Sequence, residues 1–474
     1  MVKKSHPLKS AYQSKFEAIR DEYLRRKAIR EGGEGARGAE LTIQELSGER
    51  ELCGGLNALK RATYSEVELL RLDMEEEMDT GDDGKNEERE AVLAAMTEFT
   101  NNELPLDFVH RDKCWWDKLD ELVRACAVWL CLSAFAITLA LPIILIRPFE
   151  DIVINMGLLP SKWALSNVCK WTVAHLLMIM SGIKMKVKGA SDETFSTDKP
   201  ILVCYTHTST MDAFIISAAI PVRFAVLAKL ELFFIPFFSW LLIAFGGVPV
   251  NRSNRKQSVH SLQAAARGLA PGDAISMAPE GTRSTIGQLL SFKKGAGHLW
   301  QQLDARVVPM IIFGAYEMFP LGKLVSIPGH VHVHFLPPFD PETITSGMSK
   351  TDHGGEEGTR AQLRAKMSIK LRRDMLTELA NQPPGVGDEL SWSERLLNVG
   401  AVVLFFSMLV YLYTGIRVVI DFLDITALQA AMYGFLGSCA ITLVLFVWVM
   451  YGIMALALVA AAGALCAQLY SNYP

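Results

Sequence analysis

The sequence predicts an α/β domain, a mixed sheet flanked by helices, with transmembrane helices on its N-terminal and C-terminal sides. Short apolar runs of strand length alternate with helical patterns between about residues 186 and 339. Long uncharged apolar stretches lie on both sides of that region. Half of the 474 residues are hydrophobic although 21% are charged, and the mean hydropathy is +0.22. The apolar residues are therefore concentrated in segments. A formal net charge of −4 does not describe a basic nucleic-acid binder. The eight cysteines include no C-x-x-C pair, and Cys126, Cys131, Cys439 and Cys466 sit in apolar runs. They read as buried thiols, not as a disulfide framework or a zinc knuckle.

Residues 1–118 are charged and poor in aromatics, with an amphipathic pattern near 12–30, a Gly-rich stretch, and an acidic run from Glu75 to Glu90. This composition reads as a largely disordered, solvated arm with too little apolar surface for a core. The charge that follows Met1 is not the pattern of a cleaved secretory signal. Residues 119–185 read as membrane helices. The run 125–146, bracketed by Arg124 and Arg147 and preceded by Trp115-Trp116, is long enough at about 1.5 Å per residue to cross a bilayer core. The run 163–183 carries Lys170 and His175, so it suits an interfacial or domain-packed helix.

The α/β domain is expected over 186–345. Strand patterns occupy 200–206, 222–228, 274–278, 307–312 and 331–335, with Pro309 weighing against the fourth because it cannot donate to a ladder. Helical patterns occupy 211–220, 233–244 with a break at Pro236, and 255–269, where Val259, Leu262, Ala266 and Leu269 share one face. Residues 346–395 read as a polar loop and a charged helix over 359–380. In 396–474, a run over 396–416 and the absence of charge after Asp424 suggest about three spans, with a turn near Tyr451-Gly452.

Two motifs carry chemistry. In His207-Thr-Ser-Thr-Met-Asp212, a histidine closes a strand and an aspartate opens the next helix. A carboxylate there can hold one ring nitrogen and leave the other to take a proton. The spacing is weak by itself, the plain alternative being a locally bonded histidine. Pro279-Glu280-Gly281-Thr282-Arg283-Ser284 is far more specific. At a strand end it offers backbone, hydroxyl and guanidinium donors for an anion such as phosphate.

In this order and about 70 residues apart, the two motifs make the chain resemble the PlsC-type glycerophospholipid acyltransferases, the family that includes lysophosphatidate acyltransferases. His207 and Asp212 fall on that family's H-x-x-x-x-D block, and Glu280 to Ser284 on its E-G-T-R-S block. Gly246-Gly247-Val248-Pro249-Val250-Asn251-Arg252 lies where the second block falls, and Val308-Pro309-Met310 where the fourth does. Two departures stand out. Pro249-Val250-Asn251-Arg252 replaces the usual aromatic-aliphatic-acidic-Arg, and Ala278 replaces a common Phe.

The resemblance implies that His207, oriented by Asp212, deprotonates an acceptor hydroxyl that attacks an acyl thioester directly. Glu280, Gly281, Thr282, Arg283, Ser284 and Arg252 would then bind substrate. Lys293 and Lys294 are candidates for the phosphates of coenzyme A, a solvated pair being the plain alternative. The implied reaction takes acyl-CoA as co-substrate and lysophosphatidate as acceptor and needs no cofactor. A choline or ethanolamine lysophospholipid is the close rival as acceptor, and an inactive membrane scaffold is a reading from another class. Partners would be the two substrates and the bilayer, with no nucleic acid. An endoplasmic-reticulum membrane with a cytosolic catalytic face suits such a reaction. His330, His332 and His334 alternate along one strand face, a spacing that can bind zinc, but the chemistry above uses no metal. Ser209 lacks the G-x-S-x-G elbow of a serine hydrolase.

Overall fold

The computed structural model describes residues 7–30, 49–78, 86–106, 115–160, 163–235, 238–251, 254–321, 326–345 and 355–386, with isolated positions between 388 and 414. Pro236, where the helical pattern 233–244 is expected to break, and nearly all of 396–474, where about three spans are expected, lie outside these residues.

Seven strands form one sheet: β1 (Ile183–Lys188), β2 (Ile201–Tyr205), β3 (Phe224–Lys229), β4 (Gly247–Val250), β5 (Ala274–Met277), β6 (Arg306–Phe313) and β7 (Gly329–Phe335), in the order β1-β7-β6-β2-β5-β3-β4. Neighbours are parallel except for the antiparallel pair β6–β7. The mixed α/β organisation is thus observed. β1 was not anticipated, because its Lys-x-Lys-x-Lys alternation marks an edge strand with few apolar residues.

Pro309 does not break β6. Its carbonyl accepts from Leu336 N–H at 2.9 Å, so its donor-less nitrogen faces the place where β7 has ended. Pro249 sits on the edge strand β4, where a proline also costs little. The apolar segment 233–244 divides into a 3-10 turn, Leu230–Phe234, and a helix, Phe238–Ala244.

Period-2 alternation gives the sheet two buried faces. Leu202, Cys204, Ile275, Val307, Ile311 and Phe313 pack on one side with the helices Gly295–Leu303 and Gly355–Leu379. Ile201, Val203, Tyr205, Val308, Met310 and Val331 pack on the other with Leu165–Met180 and Asp212–Ala219. Full burial of each large aliphatic side chain contributes about 1.5–3 kcal/mol.

The N-terminal arm departs from expectation. Pro7–Arg30, Glu49–Met78 and Asn86–Glu103 are helices. Leu59, Val67, Leu70 and Met74 are buried in the same core cluster as the first sheet face. They lie eight, three and four residues apart, whole turns of one helix face, so a sparse apolar content still makes one stripe. The arm cannot hold a core of its own, but it completes the domain's. Two buried ion pairs cross this contact, Arg61–Glu317 at 2.7 Å and Arg372–Glu68 at 2.5 Å.

One helical run, Leu122–Asn155, is long and apolar enough to cross a membrane by length and composition, with mean hydropathy 2.4. It includes a π-turn, Ala136–Ala140, just before Pro142. The wider turn there accommodates a residue that cannot donate to the helical ladder. Leu165–Met180 is apolar but shorter. Polar groups bolt these helices to the sheet. Arg147 donates to the Ile243 and Ala244 carbonyls, and Arg223 joins Asp151 to Asp273. Glu150 accepts from Leu165 N–H at 2.5 Å, capping the second helix. Exposed large apolar side chains gather here, among them Trp129, Leu145, Phe149, Trp163, Phe234 and Trp240.

Candidate active site

Parallel β2 and β5 end side by side, and both motifs follow those ends. This is the edge at which open α/β sheets present loops to ligands. Asp212 is the first residue of the Asp212–Ala219 helix and is fully buried. Its Oδ2 accepts from His207 Nδ1 at 2.8 Å, Thr208 N–H at 2.9 Å and Ser209 N–H at 2.8 Å. A carboxylate with three donors on one oxygen holds the ring in a fixed orientation. With Nδ1 carrying the proton to Asp212, Nε2 is left as the basic nitrogen. The imidazole is 18% exposed, and its ring stands edge-on to Tyr205 with centroids 5.7 Å apart.

The second motif is tied to the first by three hydrogen bonds. His207 N–H donates to Glu280 Oε1 at 3.0 Å, Ser284 N–H to the His207 carbonyl at 2.7 Å, and Arg283 Nη1 to Thr210 Oγ1 at 2.7 Å. Gly281 takes φ +68, and a Cβ there would lie 2.8 Å from the Lys293 side chain. This turn therefore needs glycine both for its backbone and for the lysine stem that crosses it.

Two residues expected to touch substrate face inward instead. Glu280 is 1% exposed, and its second oxygen accepts from Leu290 N–H at 2.9 Å. Burial pushes its pKa up to about 8, although both backbone donors oppose the shift. Glu280 is a brace between loops. Ser284 is buried, and its hydroxyl has no hydrogen-bond partner among the described residues. Thr282 is exposed and Arg283 half-buried, so of the motif's side chains these two are open to solvent beside the Gly281 turn. Arg252 lies outside the described residues.

A cavity of about 450 Å³ opens next to the Gly281 turn. Tyr205, Leu227, Val250 and Met277 contribute to its apolar wall, and Gly281, Lys293, Lys294 and Gly295 to its rim. Both lysines are exposed. Sequence reasoning had no signal for Thr210 or Tyr205, whose parts follow only from the folded loop. Ser209 is fixed by donating to the Phe319 carbonyl at 2.7 Å. Among the described residues, no group of three or more His, Cys, Asp or Glu side chains could hold a metal ion.

Fold and site together define an α/β protein with a carboxylate-oriented histidine beside a glycine turn that bears an arginine. The model of the family described as Acyltransferase matches residues 186–313. A 1-acyl-sn-glycerol-3-phosphate acyltransferase of Limnanthes douglasii is 30% identical over 218 residues, covering 45% of this chain and 76% of that one. The protein of that name from Pseudomonas aeruginosa is 28% identical over 47% of this chain and 82% of its own. Among solved structures, the acyltransferase PlsC of Thermotoga maritima aligns with a TM-score of 0.39 and 23% identity, covering 53% of this chain and 96% of that one. The chain belongs to the PlsC-type acyltransferase family.

Proposed function

We propose that this protein transfers an acyl group from acyl-CoA to the free hydroxyl of lysophosphatidate, giving phosphatidate in phospholipid synthesis. The observation that carries this reading is the His207–Asp212 pair, 2.8 Å apart, hydrogen-bonded through its own loop to the turn that bears Arg283. His207 Nε2 accepts the proton of the acceptor hydroxyl as that oxygen attacks the thioester carbonyl. The carbon–sulfur bond then breaks, and the imidazolium returns the proton to the leaving thiolate. Asp212 keeps the ring in register and sits where its charge stabilises the imidazolium. No covalent acyl-enzyme and no cofactor enter this route, because both substrates meet at one base.

Arg283 and the Gly281 turn hold the acceptor phosphate, and Lys293 and Lys294 at the cavity rim attract the phosphates of coenzyme A. The exposed apolar side chains of the helices beside the site support a bilayer as the surrounding medium. An endoplasmic-reticulum membrane, with the site facing the cytosol where acyl-CoA is found, fits the same reading. The names borne by the relatives favour lysophosphatidate as acceptor. The departure at Pro249-Val250-Asn251, one of whose residues lines the cavity, favours testing a choline or ethanolamine lysophospholipid as the second reading.

The test is acyl transfer from labelled oleoyl-CoA in membranes carrying the protein, with a panel of lysophospholipids and glycerol 3-phosphate. Transfer to lysophosphatidate that disappears in His207→Ala supports the proposal. Transfer to another head group moves the protein to lipid remodelling. Absence of transfer to every acceptor, with the protein folded, sinks the enzymatic reading and favours a membrane scaffold.

A further inference from the structure

The N-terminal arm meets the domain at a short segment that directly continues the Arg283 turn. Leu106 N–H donates to the Ile286 carbonyl at 2.8 Å, and Gln288 Nε2 donates to the Leu104 carbonyl at 2.8 Å. Tyr64 donates from its hydroxyl to the Leu289 carbonyl at 2.6 Å. Arg372 donates to the Leu290 carbonyl while pairing with Glu68 of the arm, each at 2.5 Å. Gly287 takes φ +74, and a Cβ there would come within 2.8 Å of Leu106. Tyr64, Glu68, Leu104 and Leu106 are all buried.

The segment in turn reaches the catalytic pair. Leu290 N–H is held by Glu280, whose other oxygen holds His207 N–H. Arm, segment, Glu280 and His207 thus form one continuous chain of buried and part-buried hydrogen bonds. Such bonds in a water-poor interior fix geometry, because losing one leaves a buried group unsatisfied.

We propose that the arm is a positioning element for the transfer reaction. Tyr64 and the Glu68–Arg372 pair set the Ile286–Leu290 backbone, and that backbone sets Glu280 and the main chain of His207. The arm lies outside the residues matched by the family model. The kinetic part of the proposal rests on the transferase reading above; the structural part does not.

The experiment compares the full-length wild type with Tyr64→Phe, which removes one hydroxyl and keeps the ring. The control is Thr194→Val, which removes another buried side-chain bond, Thr194 to the Gly189 carbonyl at 2.9 Å, in the short Asp192–Phe195 helix. Rates are measured well below every Tm, and backbone amide exchange is followed in peptides covering 205–209 and 284–290.

In Tyr64→Phe, kcat is expected to fall about tenfold, as misplacing a reacting group does. KM for both substrates stays within about twofold, and the His207 and Leu290 amides exchange faster. Thr194→Val is expected to lower Tm without changing kcat or exchange at those amides. A Tyr64→Phe protein that loses Tm but keeps wild-type kcat and exchange overturns the proposal, as does an equal kcat loss in Thr194→Val. If the wild type transfers to no acceptor, the functional reading fails by itself, and the amide exchange alone decides whether the arm positions His207.

Discussion

Histidines occupy two parts of this sheet under different conditions. At the end of β2, His207 has Nδ1 fixed by a buried carboxylate and its ring partly exposed and edge-on to Tyr205. Along β7, His330, His332 and His334 pair in register with Lys184, Lys186 and Lys188 of β1. There Nδ1 of His334 meets Glu378 at 2.6 Å, Nε2 of His330 meets Glu394 at 3.5 Å, and Nε2 of His332 is buried with no partner among the described residues. The difference lies in what surrounds the second nitrogen. A ring held at one nitrogen and open at the other can exchange a proton with a ligand. Rings packed on an inner strand among carboxylates and neighbouring strands are parts of the sheet's frame rather than a base.

The comparison breaks most sharply if His207 can be replaced. His207→Ala is expected to lower acyl transfer by about 10³-fold, within the range that general-base removal costs, with Tm little changed. His332→Leu is expected to leave transfer within about twofold. Equal losses in the two variants would mean that the β2 histidine has no special role. Asp212→Asn comes next. The amide keeps the shape but loses the charge and offers the ring a less certain partner. We expect about a 10²-fold drop in kcat with KM for acyl-CoA unchanged. Arg283→Lys is milder. Lysine keeps the charge and loses the planar fork. A rise of about tenfold in KM for the lysophospholipid, with kcat within about threefold, would place Arg283 on the acceptor. A change in kcat alone would place it on the reaction.

Much of the site was legible in the sequence because motif residues are local. His207 and Asp212 lie five positions apart across one strand-to-helix turn, and only a strand feeding a helix brings them together. The alternating apolar runs likewise announced β2, β3, β5 and β6. What the sequence did not convey is direction and distance. Glu280 stands in the middle of a motif expected to bind an anion, yet its carboxylate turns inward to backbone donors from residues 207 and 290. Nothing in the string separates an inward glutamate from an outward one. The arm was misread for a related reason. Leu59, Val67, Leu70 and Met74 are too few for a core by composition, but they need only half of one, because the sheet supplies the other half. Pro309 misled in the opposite sense, its missing donor falling beyond the end of the neighbouring strand.

The smallest expected effect sharpens the contrast through pH. Burial, followed by the nearby charge of Lys186 and the neighbouring His334 and His330, lowers the His332 pKa to about 4, with Asp388 opposing. Its ordinary value is about 6.5. Between those two values the unfolded chain binds a proton at this position that the folded chain refuses. Stability therefore falls as pH drops from about 6.5 toward 4 and stops falling from this source below 4. Replacing the ring by leucine removes the refused proton and fills the site with an apolar group. Tm measured from pH 7 down to pH 4 should fall less in His332→Leu than in the wild type, with the two curves closest in slope above pH 6.5. Other carboxylates titrate in both proteins, so the difference between the curves isolates this ring. Parallel curves would mean that His332 takes up its proton in the folded state as readily as in the unfolded one. The strand would then be open enough to water for its histidines to act as His207 does, and the distinction between the two regions would rest on Asp212 alone.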